Sequence, residues 1–279
     1  MPAPDAISCD QLSKLLGTPK SPVILDVRPE TSRQNDPRRI ASSRVFVADQ
    51  LSATTLQSIA HNVQGSVVVT CDAGHARSQS VAAWLRQSGL HAQHLEGGHA
   101  AWVAAELPHY DPSPISQLDD TGRSIWVTRS RPKIDRIACP WLIRRFVDPL
   151  AVFLYVLPAE VEAVAQTVGA MPFDVSGVFW SHRGDDCTFD TMIKEFGLRI
   201  PALDRLARIV RGADTDRLDL APECAGLLAA SLGLSRMYAD DLAQLDAGMA
   251  LYDAFYRWAR DATGERHNWE SHGARRDDA

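Results

Sequence analysis

One segment constrains the fold more than any other. A β-branched run, Ser66-Val67-Val68-Val69-Thr70, leads directly into Cys71-Asp72-Ala73-Gly74-His75-Ala76-Arg77-Ser78, and this loop opens into VAAWLRQ, which has the composition of a helix. A short run that is apolar on both faces marks a parallel strand covered by helices. Strand, tight loop and helix together form the repeating unit of an open α/β sheet. Val23-Ile24-Leu25 and Gln93-His94-Leu95 read as further strands. Helices are expected over residues 9–16 behind a cap at Ser8, and over 50–61, 78–88 and 99–106. The alternation predicts an α/β domain over residues 1–107, a parallel sheet flanked by helices.

The pattern stops at LPHYDPSPISQLDDTG, a proline- and aspartate-rich stretch that predicts a linker over residues 108–123. The rest reads as a mainly α-helical (α+β) second domain over 124–265, followed by a polar tail at 266–279. Residues 135–146 place Ile137, Trp141, Leu142 and Arg145 at helical intervals, and 204–211 is a second helix. Residues 237–260 read as one long helix, with Leu242, Leu245, Met249, Tyr252 and Tyr256 repeating at three and four. Residues 153–156 read as a strand.

A hydrophobic fraction of 45% with 23% charged residues excludes a disordered or fibrous chain. The net charge of −6 argues against a protein whose whole surface binds nucleic acid. The five cysteines (Cys9, Cys71, Cys139, Cys187 and Cys224) are odd in number and lack any C-x-x-C pair. That predicts free thiols in a reducing compartment rather than a disulfide framework. The first residues show no signal-peptide pattern, and no apolar run approaches the ~18–20 residues that span a bilayer. A cytoplasmic protein without membrane contact is expected.

Cys71 stands where open α/β sheets place their sites, at the carboxyl edge of a strand with a helix N-terminus behind it. A tight loop there can aim successive amides inward as an anion nest, and Arg77 adds a planar cationic fork. This setting favours the thiolate and makes Cys71 a nucleophile beside an oxyanion cradle. The expected site is Cys71, Arg77 and Ser78 as catalytic residues, with Asp72, Gly74 and His75 around the anion. The plainer alternative is a buried cysteine that ends a strand beside a surface arginine, with His75 merely exposed.

Asp26-Val27-Arg28, the Cys71 loop, and Leu95-Glu96-Gly97-Gly98 followed by Trp102 resemble a rhodanese domain over residues 5–107. The resemblance implies that Cys71 takes sulfur from thiosulfate or another sulfane-sulfur donor as a persulfide and passes it to a thiol acceptor. Asp26 and Arg28 would support the loop, Arg28 beside the anion. Two features depart from the rhodanese pattern. Five residues separate Cys71 from Arg77 instead of four, the C-x5-R-S interval of cysteine phosphatases and related arsenate reductases. Arg38-Arg39-Ile40-Ala41 replaces a Gly-His-Ile-Pro-Gly-like turn. The longer loop suits a tetrahedral, chromate-like oxyanion.

Residues 129–145 hold Arg129, Arg131, Lys133, Arg136, Arg144 and Arg145 against Asp135 alone. The options are a solvated basic face, an anion site using Arg136 and Arg144, or a DNA contact. In HRGDDCTFD, His182, Cys187 and Asp190, joined by Asp214 of the RGADT turn, could converge on a transition metal. Alternatively, Cys187 is buried and Asp186 or Asp190 caps the following helix. No other cofactor is expected. RPKIDRIACPWLIRRFVDP, HRGDDCTFD, RGADT and GLSRMYADD resemble the C-terminal domain of ChrB-type chromate-resistance proteins over 124–262. That implies a role in chromate or oxyanion stress, by sulfur transfer or oxyanion chemistry at Cys71, or as a sensor or transcriptional regulator without turnover. Loop length alone suggests a phosphatase-like or arsenate-reductase-like activity.

Overall fold

A computed structural model describes residues 5–46, 52, 54, 56–57, 63 and 65–265. The expected helix at 50–61 falls mostly outside the described residues, and the polar tail at 266–279 falls wholly outside them.

The first half begins with β1 (Ala6–Ile7) and α1 (Cys9–Leu15). Ser8 caps α1 as expected, its hydroxyl accepting from the Gln11 amide while the Gln11 side chain accepts from the Ser8 amide. β2 (Val23–Asp26), α2 (Glu30–Asn35), β3 (Arg39–Ile40), β4 (Arg44–Val45), β5 (Val67–Thr70), α3 (Ala76–Gln87), β6 (Ala92–Leu95) and α4 (Gly98–Ala104) follow. A five-stranded, all-parallel sheet runs β1-β6-β5-β2-β4, with Val23 to Asp26 in register with Val67 to Thr70. All four residues of β5 are buried, as a run apolar on both faces requires.

The proline-rich stretch is a packed connection rather than a free linker. Its β7 (His109–Tyr110) pairs antiparallel with β3, and Tyr110 is buried against the edge of the Phe196 ring. The second half opens with β8 (Ile125–Arg129), which forms a small parallel sheet with β9 (Val152–Val156) and β10 (Met171–Pro172) in the order β10-β8-β9. α5 (Asp135–Leu142) and α6 (Val161–Val168) make the crossovers. The remaining helices are α7 (Thr188–Glu195), α8 (Pro201–Asp214), α9 (Cys224–Met237) and α10 (Asp241–Asp261).

Two expected helices have different bounds. The one over 135–146 gives way at Ile143 to a wider π-helical turn, Ile143–Val147. Pro140 lies inside α5 and has no N–H, which releases the carbonyl of Arg136; the Tyr155 hydroxyl donates to it at 2.8 Å. The long helix expected over 237–260 is present as α10 but starts four residues later: Met237 ends α9, and Asp240 caps α10 by accepting from the Ala243 amide at 2.7 Å.

The two halves share one hydrophobic core, running from Leu12, Leu16 and Trp102 to Trp141, Phe146 and Tyr256. At Gly17, with φ of +68°, a Cβ would lie 2.5 Å from the Phe146 ring and 2.7 Å from the Tyr256 ring. Only a glycine lets that turn sit flat on the second half. The Ser42 amide donates to the Phe146 carbonyl and the Asp111 amide to the Phe196 carbonyl. None of the described helices is long and apolar enough to cross a membrane.

Candidate functional sites

The first site is built by backbone. Cys71 follows β5 directly, is 5% exposed, and holds its Sγ 3.1 Å from the Ser78 Oγ. α3 starts at Ala76, two residues earlier than the sequence suggests, so Arg77 and Ser78 lie in its first turn. Among the described residues, no acceptor takes a hydrogen bond from the amides of Asp72 to His75. The loop therefore presents a run of free donors at a helix N-terminus.

The loop is held in shape from two sides. Gly74 (φ +73°) and Gly98 (φ +59°) approach so closely that a Cβ on Gly98 would stand 2.3 Å from the Cys71 carbonyl oxygen. A Cβ on Gly74 would stand 2.6 Å from the Leu95 carbonyl oxygen. The His99 and Ala100 amides donate to the Cys71 and Asp72 carbonyls at 2.8 and 2.9 Å. From the other side, Arg77 Nε donates to the carbonyl of Val27, tying the guanidinium to the end of β2.

Three anion-binding expectations at this loop change. Arg28 is 1% exposed: two of its nitrogens donate to Asp26 (2.7 and 2.9 Å), and it also donates to the carbonyls of Asp36 and Arg38. Buried and with four of its five N–H groups taken, it is placed as a positioning residue. The Asp72 carboxylate accepts from Ser32 Oγ at 3.2 Å. His75 precedes α3 without capping it through its side chain and is exposed.

Sequence reading missed Asp36 and His99, which meet at 3.2 Å beneath the loop. Arg38 and then His99 hold the Asp36 carboxyl well below the ordinary carboxylate range. Burial, then the charge of Arg28, lowers the His99 imidazole. The signal for them was only their place beside recognised residues: Asp36 before Arg38-Arg39, His99 after Gly97-Gly98.

The second site is built by side chains from four separate segments. His182 Nε2 lies 3.3 Å from Asp214 Oδ2, 3.4 Å from Asp174 Oδ1 and 3.5 Å from Asp135 Oδ2. Asp135 opens α5 and Asp214 closes α8. Asp174 follows β10 at φ +51°, and His182 sits in the loop before α7. The Thr188 amide, at the start of α7, donates to Asp135 Oδ2 at 2.6 Å. Burial, then Asp214 and Asp174, raises the Asp135 carboxyl well above its ordinary range. Hydrogen bonds to Asp174 and then Asp214 push His182 up to about 10.

Of the expected metal set, His182 and Asp214 meet here, whereas Cys187 and Asp190 do not join them. Those two close a capping box at α7, with the Cys187 amide and thiol both donating to Asp190 Oδ2, at 3.1 and 3.2 Å. Burial, then Asp135, raises the Cys187 thiol, and burial raises Cys139. Both remain protonated. Asp135 and Asp174 were missed because they lie 47 and 8 residues before His182 and belong to no local motif.

Most of the basic stretch is ion-paired, while Arg131 and Lys133 are exposed. Arg129 and Arg136 pair with Asp174, Arg144 with Asp246, and Arg145 with Asp253. Arg131 donates to the carbonyls of Ser235 and Tyr238. Arg136 also donates to the Arg129 and Ser130 carbonyls, and Arg144 lies over the Phe153 ring, so the two do not converge on one ligand.

Comparison with known proteins follows the same division. Residues 8–105 match the rhodanese-like domain family, and residues 126–259 match the C-terminal domain of ChrB. The chain is 34% identical over 164 residues to Protein ChrB of Cupriavidus metallidurans; the match covers 58% of this chain and 47% of that protein, so it spans about half the relative's length. Two solved structures align with lower identity. A rhodanese-related protein from Thermoplasma volcanium is 24% identical, with 37% of this chain and 95% of that one covered and a TM-score of 0.30. An As-Sb reductase from Leishmania major is 18% identical, with 42% and 88% covered and a TM-score of 0.33.

Proposed function

Because the chain joins a rhodanese-like domain to a ChrB C-terminal domain, we propose that it acts in chromate or oxyanion stress through thiol chemistry at Cys71. The observation that carries this reading is the cysteine set at the mouth of a loop whose Asp72 to His75 amides have no acceptor among the described residues, with a hydroxyl 3.1 Å from its sulfur. Of the other four cysteines, burial raises each thiol, Cys9 and Cys224 included. The cysteine at the loop, Cys71, is the nucleophile of this reading.

In sulfur transfer, the Cys71 thiolate attacks the outer sulfur of thiosulfate. A new S–S bond forms on Cys71, the S–S bond of thiosulfate breaks, and sulfite leaves with the bonding pair. The loop amides and Arg77 hold the departing anion, and Ser78 donates to the sulfur while it carries charge. A thiol acceptor or cyanide then removes the outer sulfur and restores the thiolate. The test compares the protein with its Cys71→Ser variant after thiosulfate treatment, by intact mass and by thiocyanate release with cyanide. A gain of one sulfur atom and turnover are expected, both lost in the variant.

A second reading rests on the five-residue interval between Cys71 and Arg77, which gives the loop room for a whole tetrahedral anion. If thiosulfate yields neither adduct nor turnover, the same loop should be tested with chromate, arsenate and phosphate esters.

A further inference from the structure

We propose that Asp135, His182 and Asp214 bind a divalent first-row transition-metal ion, a site independent of the chemistry at Cys71. Their donor atoms lie within 4.8 Å of one another. An imidazole Nε2 carries at most one proton and can donate to one carboxylate, yet carboxylates from three segments crowd this nitrogen at 3.3–3.5 Å. Bonds of ~2.0–2.1 Å arranged tetrahedrally around one ion leave neighbouring ligand atoms about 3.3–3.4 Å apart. The Nε2 distances to Asp135 and Asp214, 3.5 and 3.3 Å, are close to that spacing, and the three donor atoms together fit within 4.8 Å.

A second observation is independent of that crowding. Asp135 is 1% exposed, and its Oδ1 has no hydrogen-bond partner among the described residues. The nearby Cys187 thiol is engaged with Asp190. A buried carboxylate oxygen without a donor is costly unless a cation takes it.

Charge points the same way. Asp174 is answered by Arg136 at 3.2 Å and Arg129 at 3.4 Å, and Thr188 Oγ1 donates to it at 2.9 Å. It therefore supports the site from outside. Among the described residues, Asp135 and Asp214 have no Lys or Arg partner, and a divalent ion that displaces the proton of His182 would answer both carboxylates. One imidazole and two carboxylates, with no thiolate, suit zinc, manganese or iron(II). The His182 side chain is 40% exposed, so a further coordination position faces solvent.

The test uses the full chain carrying Cys71→Ser, which removes the loop thiol as a competing ligand. The protein is treated with chelator, dialysed, and titrated calorimetrically with Zn²⁺ alone and with Mn²⁺ alone. At least one of the two should bind at one ion per chain and raise the thermal midpoint. Asp214→Asn, isosteric and near the surface, and His182→Gln should each weaken binding by more than the roughly 10–100-fold that losing a supporting partner costs. Both should remain folded by circular dichroism. X-ray absorption of the ion-loaded parent should show nitrogen and oxygen neighbours only. The proposal is overturned by absence of stoichiometric binding of either ion, by equal binding in the two variants, or by sulfur in the first shell. None of these outcomes bears on persulfide formation, which is read on the protein with Cys71 intact.

Discussion

The Cys71 loop and the His182 cluster stand in the two halves of one molecule and are built in opposite ways. The loop uses eight consecutive residues, and its binding groups are amides whose direction depends on two glycines and a strand end. The cluster gathers side chains from the starts and ends of elements more than 30 residues apart in sequence, such as Asp135, His182 and Asp214. A backbone-built site tolerates changes in its own side chains but not in the spacing of the chain beneath it. A side-chain-built site behaves the other way: its backbone is ordinary, and its chemistry changes with a single carboxylate.

The largest expected effect tests what supports the loop. Arg28→Ala leaves the buried Asp26 carboxylate uncompensated and should cost about 3–5 kcal/mol in denaturant unfolding. A cost below ~1 kcal/mol would mean that Arg28 does not brace the end of β2 against residues 36–38. Next, Gly98→Ala should cost about 2–4 kcal/mol, since the new Cβ meets the Cys71 carbonyl at 2.3 Å. Gly184→Ala, in the His182 loop, should cost only about 1 kcal/mol, because its φ of +60° is strained but nothing lies within 4 Å. Equal costs at the two glycines would break the contrast between the sites.

Ser78→Ala should slow sulfur transfer roughly tenfold, the value of one hydrogen bond to a charged sulfur, with little change in folding. Thiocyanate release measures the first and thermal unfolding the second. An unchanged rate would remove Ser78 from the reaction.

The smallest effect concerns pH. His99 and Asp36 are both held below their ordinary values in the folded chain. For each group the unfolded chain takes up protons more readily, so stability rises with pH. The His99 contribution is present above the ordinary imidazole value of ~6.5 and is lost as pH falls through it toward the depressed one. Asp36 follows below pH ~4. Between pH 7.5 and 5.5 the urea midpoint of the parent should therefore fall relative to that of His99→Gln; His182, held up to about 10, contributes with the opposite sign and equally in both proteins. An unchanged slope would show that the imidazole does not titrate differently in the two states.

Particular residues show why the first half was easier to read. The β5 run is apolar at every position and meets a cysteine loop and a helix in sequence order, so strand, site and helix are all local features. Asp26, Arg28 and Gly98 were visible in the same way, although their physical roles were not. The rhodanese resemblance alone puts Arg28 beside the anion, and nothing in the sequence shows that its fork closes on Asp26 and two carbonyls. The basic stretch misled for the same reason. Arg136 and Arg145 find Asp174 and Asp253, partners 38 and 108 residues away in the chain.

The sequence alone determined the parallel α/β half, the helical second half, the α1 cap at Ser8 and the identity of Cys71 as the thiol at a strand end. These follow from periodicity, capping and loop chemistry, which act over fewer than about ten residues. Only the tertiary structure decided that the two halves share one core across Gly17, Phe146 and Tyr256. It alone decided that Cys187 and Asp190 cap a helix while Asp135 and Asp174 join His182 and Asp214. Long-range packing sets which charged groups meet, because burial compels each of them to find a partner wherever the fold brings one.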